Sequence, residues 1–328
     1  MNLQNPKKFK MLVDQAHEVA VNVLRPISRK YDKAEHAYPK ELDMLAALVD
    51  GMNQAGDGMN AGAAVNKHGD TSPGNKNGVN MSTALSIVEM CYGDTGLLLS
   101  MPRQGLGNSA IAAVANEEQL QRFNGVWAAM AITEPNCGSD SAAIRTTATK
   151  VDNEYILNGE KIFVTSGDRA DAVVVWATLD KKLGRAAIKS FVVTKGTPGM
   201  TVERLEHKLG IKASDTATIR FENCRVPASN LLGNAEIDIA KGFAGVMETF
   251  DNTRPLVAAM AVGCAKAALE RIKEIFKDQL DANYATPYLQ CSHIAAQTYR
   301  MEAEWEAARL LMLKAAWMAD NKQPNSRE

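Results

Sequence analysis

The first third of the chain places its apolar residues at helical spacing. Over residues 9–23 they recur every three or four positions, which is the period of one helix face. The residues of this face are Phe9, Leu12, Val13, Ala16, Val19, Ala20 and Val23. A second face follows Pro39, and helical patterning returns at Ser82 and at Asn108. We therefore predict an N-terminal helical domain over residues 1–125.

Two local features refine this helical prediction. Residues 51–80 contain seven glycines mixed with Asn and Asp, which predicts a long irregular loop between helices. Further on, Asn116 is followed by Glu117 and Glu118. Asn is a favoured residue at a helix N-terminus, and acidic residues suit the first turn, so a helix is expected to begin there.

Between residues 126 and 235 the pattern changes to that of strands. Apolar runs over 172–179, 190–193 and 217–221, and alternation from Ile144 to Lys150, predict short strands separated by polar turns. Two further apolar segments flank Asn158-Gly159, a dipeptide that tolerates the positive φ angles of a type I′ turn, so a β-hairpin is predicted here. Such a series of strands is typical of a compact β-barrel or sandwich.

The pattern is helical again over residues 236–328, the predicted C-terminal domain. One apolar stripe comprises Ala258, Ala261, Val262, Ala265, Leu269, Ile272 and Phe276, and a second comprises Ile294, Met301, Trp305, Ala308, Met312, Ala315 and Ala319. The spacing is close to that of a bundle seam. Since two helices cannot cover each other's wide apolar faces, the expected bundle is incomplete. The predicted fold class is α+β.

Composition excludes several classes of protein. The 37 basic and 38 acidic residues nearly cancel to a net charge of −1, so there is no electrostatic footprint for nucleic acid. No apolar run approaches 18 residues, which predicts no membrane span. The N-terminus resembles neither a signal nor a transit peptide. Five dispersed cysteines show no metal spacing and no disulfide framework, which favours a cytoplasmic location.

The segment 131–140, Ala-Ile-Thr-Glu-Pro-Asn-Cys-Gly-Ser-Asp, carries the first candidate chemistry. Thr133 ends an apolar run, Pro135 fixes one dihedral angle, and Gly138 frees another. A loop of this kind presents backbone N–H groups and short hydroxyls, which suits a flat heteroaromatic ring or a phosphate. Cys137 is interpreted as a small space-filling residue, with a reactive thiol as the alternative. The segment 158–167, Asn-Gly-Glu-Lys-Ile-Phe-Val-Thr-Ser-Gly, follows closely.

Together the two segments resemble the flavin-binding middle domain of the acyl-CoA dehydrogenase family. Residues 250–255, Phe-Asp-Asn-Thr-Arg-Pro, resemble the start of that family's C-terminal helical domain. The resemblance implies three domains, with helices, a flavin-binding β domain over 126–235 and a helical bundle. It also implies an FAD-dependent oxidation of an acyl-CoA substrate to the trans-2-enoyl-CoA, as in fatty-acid β-oxidation, with electrons passed to an electron-transfer flavoprotein.

The resemblance assigns roles to individual residues. Thr133 is expected to donate its hydroxyl to the N5/O4 edge of the flavin, with backbone N–H groups near Ile132 on the pyrimidine side. Phe163, where many relatives have Trp, is expected against the ring, and Thr165 holds the ring from the same strand. Beyond these, the expected contacts to the FAD pyrophosphate or the acyl-CoA are Gly138 and Ser139, and those near the substrate are Phe250, Asp251 and Arg254. Each residue also has a structural alternative: a turn hydroxyl, a core aromatic or a surface charge.

Two departures from the family pattern qualify these expectations. The family's catalytic base is a Glu, either late in the C-terminal domain or at the position held here by Thr253. Thr cannot act as a carboxylate base, so the catalytic Glu is expected beyond Glu328, the chain is expected to be truncated, and Arg254 is left as a supporting residue. The Arg-x-x-Phe-Gly segment with which relatives grip a neighbouring subunit's FAD is also absent over residues 277–287.

These departures leave alternatives open. The missing segment favours a hetero-oligomer with an unlike acyl-CoA dehydrogenase chain, although a homo-oligomer stays possible. The first alternative function is a non-catalytic structural or regulatory subunit of such a complex. The second is an acyl-CoA oxidase, which would pass its electrons to oxygen.

Overall fold

The computed structural model describes residues 5–54, 77–103, 105–237, 244–281, 284–325 and 327. The α-helices are α1 Lys10–Val19, α2 Arg25–Lys33, α3 Glu41–Gln54, α4 Val79–Gly93, α5 Thr95–Leu99, α6 Leu106–Val114, α7 Glu117–Arg122, α8 Ala244–Ile275 and α9 His293–Asp320. The strands are β1 Ala128–Ala131, β2 Thr147–Val151, β3 Glu154–Thr165, β4 Ala172–Thr178, β5 Ile188–Thr194, β6 Met200–Leu205 and β7 Thr216–Pro227. The predicted α+β fold, with helices before and after a β region, is confirmed.

The chain forms two compact units. The helical unit comprises residues 1–27, 70–95 and 254–328, and the sheet unit comprises 28–69 and 96–253. The predicted domain boundaries near 125 and 235 stay predictions. Among the described helices, none combines the length and apolar character needed to cross a membrane.

All seven described strands belong to one sheet. Its order is β1-β4-β2-β3-β7-β6, with β5 on β4 as a branch. The β1–β4 pair is parallel, and β2–β3, β3–β7, β6–β7 and β4–β5 are antiparallel. Because β1 and β4 run in the same direction, the chain that leaves β1 after Ala131 and the chain that leaves β4 emerge at the same edge of the sheet.

Strand β4 is buried on both faces, which explains its unbroken apolar sequence. Val173, Val175 and Ala177 pack into one apolar cluster with residues of β3, β5 and β7. The alternate residues, Ala172, Val174 and Trp176, pack into a second cluster that includes Ala110 and Ile111 of α6. A strand with an apolar cluster on each side has no polar face, as is usual for buried central strands.

The predicted hairpin at Asn158-Gly159 is wrong, because β3 continues through this dipeptide. The register of β3 against β7 shifts between Leu157 and Gly159, so the dipeptide forms a bulge. Gly159 has φ +153, and a Cβ there would lie 2.4 Å from Thr146 Oγ1. The dipeptide's tolerance of positive φ serves a bulge as well as a turn. The β2–β3 turn lies instead at Asp152, whose φ is +52.

Other local predictions have mixed outcomes. Asn116 begins α7 with a capping box, in which its side chain accepts from Gln119 N–H and the Gln119 side chain accepts from Asn116 N–H, so this prediction is confirmed. Strand β2 begins at Thr147, later than Ile144, because the N–H groups of Arg145 and Thr146 donate to the Glu134 side chain and not to a neighbouring strand. Of the predicted 51–80 loop, residues 51–54 belong to α3 and 79–80 to α4, while residues 55–76 lie outside the described residues.

In the helical unit, the buried side of α8 differs from the predicted stripe. Val262 and Leu269 are buried as expected, but Ala258, Ala261 and Ala265 are exposed. Gly263 marks the buried side instead, because a Cβ there would lie 2.3 Å from the carbonyl oxygen of Val88. The stripe of alanines predicted the wrong buried face of α8. A glycine such as Gly263 allows close helix packing because it lacks a side chain, and for the same reason it does not contribute to an apolar pattern.

Two charged side chains join the helices of this unit. Asp320, the last residue of α9, accepts hydrogen bonds from the N–H groups of Gly78, Asn80 and Met81 at 2.6, 2.9 and 3.0 Å. These are N–H groups at the start of α4, which lack partners within their own helix. In the middle of α4, the buried Glu89 carboxylate accepts from Lys266 of α8 and contacts His17 of α1 at 2.8 Å.

Candidate functional site

The segment that follows β1 is held against β3 by its backbone. The carbonyl oxygen of Thr133 accepts a hydrogen bond from Ile162 N–H at 2.9 Å. Ile132 is buried and Thr133 is half-buried. Within the described part of the chain, neither the N–H nor the hydroxyl of Thr133 makes a hydrogen bond. Thr133 therefore keeps two donors available at a position that its carbonyl contact fixes.

A tight turn continues the segment toward the surface. Glu134 N–H donates to Cys137 O at 3.0 Å, and Cys137 N–H donates to Glu134 O at 3.1 Å. Gly138 and Ser139 follow and are exposed. Gly138 does not adopt positive φ, and a Cβ there would meet no atom within 4 Å. The left-handed φ that glycine permits is therefore not used at Gly138, and its contribution is open access to its backbone.

A fully buried lysine lies beneath this turn. Lys161 of β3 has no exposed surface, and its Nζ donates to Glu134 Oε1 at 2.7 Å and to Ile132 O at 3.0 Å. The Glu134 carboxylate also accepts from the N–H groups of Arg145 and Thr146 at 2.6 and 2.9 Å. The Thr146 hydroxyl donates to the same carboxylate at 2.6 Å. The pair thus links the turn to the residues leading into β2 and to β3.

The electrostatics of the pair follow from its burial. Desolvation disfavours a charged amine, and it lowers the pKa of Lys161 to about 8 against the opposing charge of Glu134. Burial alone raises the pKa of the Glu134 carboxyl. The charge of Lys161 and the hydrogen bonds from Lys161, Thr146 and Arg145 outweigh it, and hold that pKa below its usual value. Both groups are therefore charged at neutral pH.

Cys137 is part of the packing under the turn. Its side chain is buried in the apolar cluster that includes Ile132 and Ile144, and its thiol contacts Glu134 Oε2 at 3.7 Å. Burial and the neighbouring Glu134 carboxylate raise the pKa of the Cys137 thiol. Since the thiolate is the reactive form, the structure supports the space-filling interpretation over a reactive thiol.

Phe163 owes its outward direction to a second bulge in β3. The register against β7 shifts between Lys161 and Val164, and Phe163 has φ +58. In a regular strand Phe163 would share the face of Lys161. The extra residue reverses the alternation, so that Lys161 and Val164 are buried while the Phe163 ring is 61% exposed. Positive φ is costly for an aromatic residue, and such strain collects at functional sites.

Thr165 ends β3 at a turn that a second buried ion pair supports. Thr165 is half-buried and pairs with Thr216 of β7. In the turn that follows, Ser166 N–H donates to Asp215 O at 3.1 Å, and Asp168 N–H donates to Asp215 Oδ2 at 3.0 Å. Arg169 Nε lies 3.3 Å from Asp215 Oδ1, with both side chains buried. Hydrogen bonds and a buried ion pair therefore hold the end of β3, as they hold its middle at Lys161.

The residues expected near the substrate lie on the N-terminal part of α8. Phe250 is half-buried and packs against the apolar cluster under α6, and Asp251 is half-buried. Thr253, at the alternative position for the base, is buried, and its hydroxyl donates to Phe250 O at 3.5 Å. Arg254 is exposed on α8 and belongs to the helical unit. The structure thus brings Ile132 and Thr133 against β3, the strand that carries Phe163 and Thr165, and Gly138 and Ser139 follow further along the same loop.

Two further features of the sheet unit lie away from these residues. A cavity of about 500 Å³ opens beside Trp127 and Asp171, at the opposite end of β1 from Thr133, and no predicted site residue lines it. The possible ligand atoms of Glu35, His36 and His207 lie within 4.8 Å of one another. Glu35 Oε2 is 3.0 Å from His207 Nδ1, and Oε1 accepts from Lys208 N–H at 2.9 Å. Since both oxygens already have protein partners, we assign this group to local hydrogen bonding.

Sequence reasoning missed Lys161, Glu134, Arg169 and Asp215, which hold the segments in place. Glu134 lies in the first motif, 131–140, and Lys161 lies in the second, 158–167. The presence of one opposite charge in each motif was therefore a signal in the sequence for an ion pair between them. Arg169 and Asp215 are far apart in the chain, and no local pattern links them.

Comparison with known proteins places the segments 131–140 and 158–167 in the domain of one family. The acyl-CoA dehydrogenase middle-domain model matches residues 129–224, and the C-terminal-domain model of the same family matches 240–328. An acryloyl-CoA reductase (NADH) of Anaerotignum propionicum is 31% identical, over 100% of this chain and 80% of the relative.

Solved structures agree with this assignment. Butyryl-CoA dehydrogenase from Megasphaera elsdenii aligns with a TM-score of 0.81 and 30% identity, over 99% of this chain and 82% of that chain. A chain in the structure described as the electron transferring flavoprotein of Acidaminococcus fermentans aligns with a TM-score of 0.80 and 31% identity, over 99% and 82% of the two chains.

Proposed function

Because this chain belongs to the acyl-CoA dehydrogenase family, we propose that it binds FAD beside the loop after β1 and oxidises an acyl-CoA thioester to the trans-2-enoyl-CoA. One observation carries the proposal. The two donors of Thr133 have no partner in the described chain, and the exposed ring of Phe163 follows Ile162, which holds the Thr133 carbonyl. Donors beside an exposed aromatic face fit a flat heteroaromatic ring.

FAD, when bound, supplies the electron sink that accepts a hydride from the β-carbon of the substrate. The residues of this chain bind and orient it. Thr133 donates its hydroxyl, with backbone N–H groups near Ile132 as further donors, and Phe163 covers one face of the ring. Thr165 holds the ring from the end of β3. Gly138 and Ser139, which are exposed, contact the pyrophosphate or the acyl-CoA.

The substrate side of the proposal rests on the start of α8. Phe250, Asp251 and Arg254 are proposed to border the thioester end of the acyl-CoA, with Arg254 supporting the reaction as a fixed positive charge. Removal of the α-proton needs a general base. Thr253 cannot fill this role, because an alcohol is not a base at neutral pH and its hydroxyl is buried against Phe250 O. We assign no residue of this sequence as the base.

We further propose an electron-transfer flavoprotein as the electron acceptor and an oligomer as the working form. The similar chain in the structure described as an electron transferring flavoprotein supports the first point. The lack of Arg-x-x-Phe-Gly over 277–287 supports a hetero-oligomer with a second acyl-CoA dehydrogenase chain. We propose a cytoplasmic location for this complex. The same lack, together with Thr253, favours a second candidate function, that of a non-catalytic subunit.

The test begins with the purified protein, expressed alone and together with a family member that carries Arg-x-x-Phe-Gly. FAD content is measured from the visible spectrum, and flavin bleaching is followed anaerobically with a short, a medium and a long straight-chain acyl-CoA. Bleaching in the complex supports the dehydrogenase, and peroxide formed in air identifies an oxidase. A complex whose FAD resides wholly in the partner, with none bound by this chain, supports the non-catalytic subunit.

The flavin assignment is tested by Thr133→Val, which keeps the side-chain shape and removes the hydroxyl. We expect an unchanged fold and FAD binding weaker by about 1–3 kcal/mol, the worth of one buried hydrogen bond to a ligand. Thr149→Val, an exposed position on β2, is the matched control. Equal FAD affinity in the two variants contradicts the assigned role of Thr133.

A further inference from the structure

Two consecutive carbonyl groups of the loop after β1 are held by two consecutive residues of β3. Lys161 Nζ donates to Ile132 O at 3.0 Å, and Ile162 N–H donates to Thr133 O at 2.9 Å. One of these contacts is an ordinary backbone hydrogen bond. The other comes from a charged side chain with no exposed surface. The difference calls for a reason, because burying an ammonium group is expensive.

Peptide geometry gives the contact a direction. The peptide bond is planar and trans, and no cis bond occurs in the described chain, so the C=O of Ile132 and the N–H of Thr133 point in opposite directions. Since the carbonyl points to Lys161, the Thr133 N–H points away from Lys161. This is also the N–H that makes no hydrogen bond within the described chain.

The contact also changes the strength of the donor. A hydrogen bond from a cation to a carbonyl oxygen is stronger than one from a neutral group. It draws electron density toward the oxygen, and hydrogen bonds in a chain polarise one another, so the N–H of the same peptide becomes a better donor. Glu134 neutralises the ammonium charge at 2.7 Å without displacing it from the carbonyl.

Stability alone does not account for the pair. Buried ion pairs are often replaced by apolar residues of similar size without loss of stability. The Glu134 carboxylate, however, accepts from Lys161 and from two backbone N–H groups and a hydroxyl, and these contacts keep it ionised as the counter-charge of Lys161. Because this arrangement maintains a charge beside the peptide group of Ile132 and Thr133, we look for a role in ligand binding in addition to stability.

We propose that Lys161 is a positioning residue for the flavin, which orients and polarises the Thr133 N–H toward the ring through the Ile132 carbonyl. The inference rests on the proposed function, since it names how the same site recognises its cofactor. Lys161 itself stays behind the peptide plane and does not contact the flavin. Glu134 serves as the fixed counter-charge.

The decisive variant is Lys161→Met with Glu134→Gln, which removes both charges together and keeps the side-chain lengths. The amide oxygen introduced by Glu134→Gln keeps an acceptor for one of the two N–H groups, that of Arg145 at Oε2 or that of Thr146 at Oε1, and the other loses its acceptor. Folding is expected to survive with reduced stability, checked by thermal unfolding. The matched control is Arg225→Met with Glu154→Gln, an exposed pair on β7 and β3 with Nη1 and Oε2 3.1 Å apart. FAD dissociation constant, visible spectrum and flavin midpoint potential are measured for all three proteins.

We expect FAD binding roughly tenfold weaker in the Lys161→Met/Glu134→Gln protein and unchanged in the control. The midpoint potential should become more negative, because the reduced flavin carries more electron density at the edge that the Thr133 N–H faces. A merely structural lysine would not move this potential. Wild-type affinity, spectrum and potential in the folded double variant overturn the inference. A wild-type protein that binds no FAD, either alone or in complex with the second chain, contradicts the proposed function instead.

Glu134→Gln alone supplies a second test, because Lys161 can lose its proton in this variant and does not have to stay as an unpaired buried charge. Lys161 then loses its nearest anion, and its pKa, already lowered to about 8 by burial, falls further. The other titratable group facing it is the Cys137 thiol, whose own pKa is raised. FAD affinity should therefore weaken with rising pH at a lower pH in Glu134→Gln than in the wild type. Identical pH profiles overturn the inference.

Discussion

A buried carboxylate accepts hydrogen bonds from a lysine in each of the two units, and the surroundings of these two pairs differ. In the sheet unit, Lys161 has no exposed surface and Glu134 is 7% exposed. In the helical unit, the Lys266 side chain is 21% exposed and Glu89 is 8% exposed, with the 36% exposed His17 as a second partner. The first pair lies under a loop, and the second joins the sides of three helices.

The difference shows what each pair depends on. Glu89 has a second partner in His17 and its lysine reaches water, so the loss of one contact leaves others. Glu134 relies on one cation, and both members are sealed from solvent. An ion pair in low dielectric is worth more and costs more than one near water. The sheet pair should therefore be intolerant of single substitutions, and the helical pair should tolerate them.

The largest expected effect comes from breaking the sheet pair on one side. Lys161→Met leaves Glu134 charged, buried and without its cation, and removal of one partner of such a pair costs about 3–5 kcal/mol. We expect this loss in the free energy of unfolding, measured by chemical denaturation. The double variant with Glu134→Gln should recover most of the loss, because no unpaired charge remains. A single variant as stable as the wild type contradicts the comparison.

Breaking the helical pair in the same way should cost less. In Lys266→Met, His17 Nδ1 still lies 2.8 Å from Glu89 Oε2, and water replaces part of the lost contact. We expect a destabilisation of about 1–2 kcal/mol. The two lysine-to-methionine variants are measured side by side under one set of conditions. If Lys266→Met costs as much as Lys161→Met, then burial is not what separates the two pairs.

The third prediction concerns the strain that accompanies the sheet pair on β3. Phe163→Gly and Phe163→Ala both remove the exposed ring, but only glycine relaxes at φ +58. We expect the Gly variant to be more stable than the Ala variant by about 1 kcal/mol, the reverse of their usual order in strands. Both should bind FAD more weakly than the wild type. The usual order, with Ala more stable, would show that the bulge relaxes without glycine.

The smallest effect is expected at the contact between Glu35 and His207, whose histidine side chain is 84% exposed. Hydrogen bonds from His207 and from Lys208 N–H hold the pKa of Glu35 at about 2, below its ordinary 4.5. A depressed carboxyl pKa contributes stability that is present above pH 4.5 and is lost as the pH falls toward 2. Glu35→Gln should flatten this part of the stability profile only slightly, because water screens the pair. Denaturation midpoints over that pH interval provide the measurement.

The sequence allowed much of the fold to be predicted, for reasons that are local. The apolar run of β4 and the N-cap at Asn116 depend on neighbours in the chain, and both were predicted correctly. The course of β3 was not, because the same Asn-Gly dipeptide serves a turn or a bulge, and pairing with β7 decides between them. The alanine stripe of α8 failed for a similar reason, since its buried side is set by contact with α4.

The site shows the same division. The motifs that contain Thr133 and Phe163 were recognised, and the structure brings them together; their assigned roles toward flavin stay predictions. The residues that hold these motifs were not found. A lysine within a strand is ordinarily expected on the solvent side, and only the folded structure shows that Lys161 faces inward. Burial of a charge depends on a partner distant in sequence, which a periodic pattern does not encode.

The Asp320 carboxylate has a consequence for the order in which the helical unit assembles. Helix α4 begins after Gly78, which has no side chain to cap it, and its first N–H groups bond to a residue some 240 positions later. Closing so long a loop is slow, because its entropy is lost before the contact forms. The first turn of α4 should therefore stay frayed until α9 docks. Native-state hydrogen exchange should then show the Met81 amide opening together with the end of α9, as one cooperative unit.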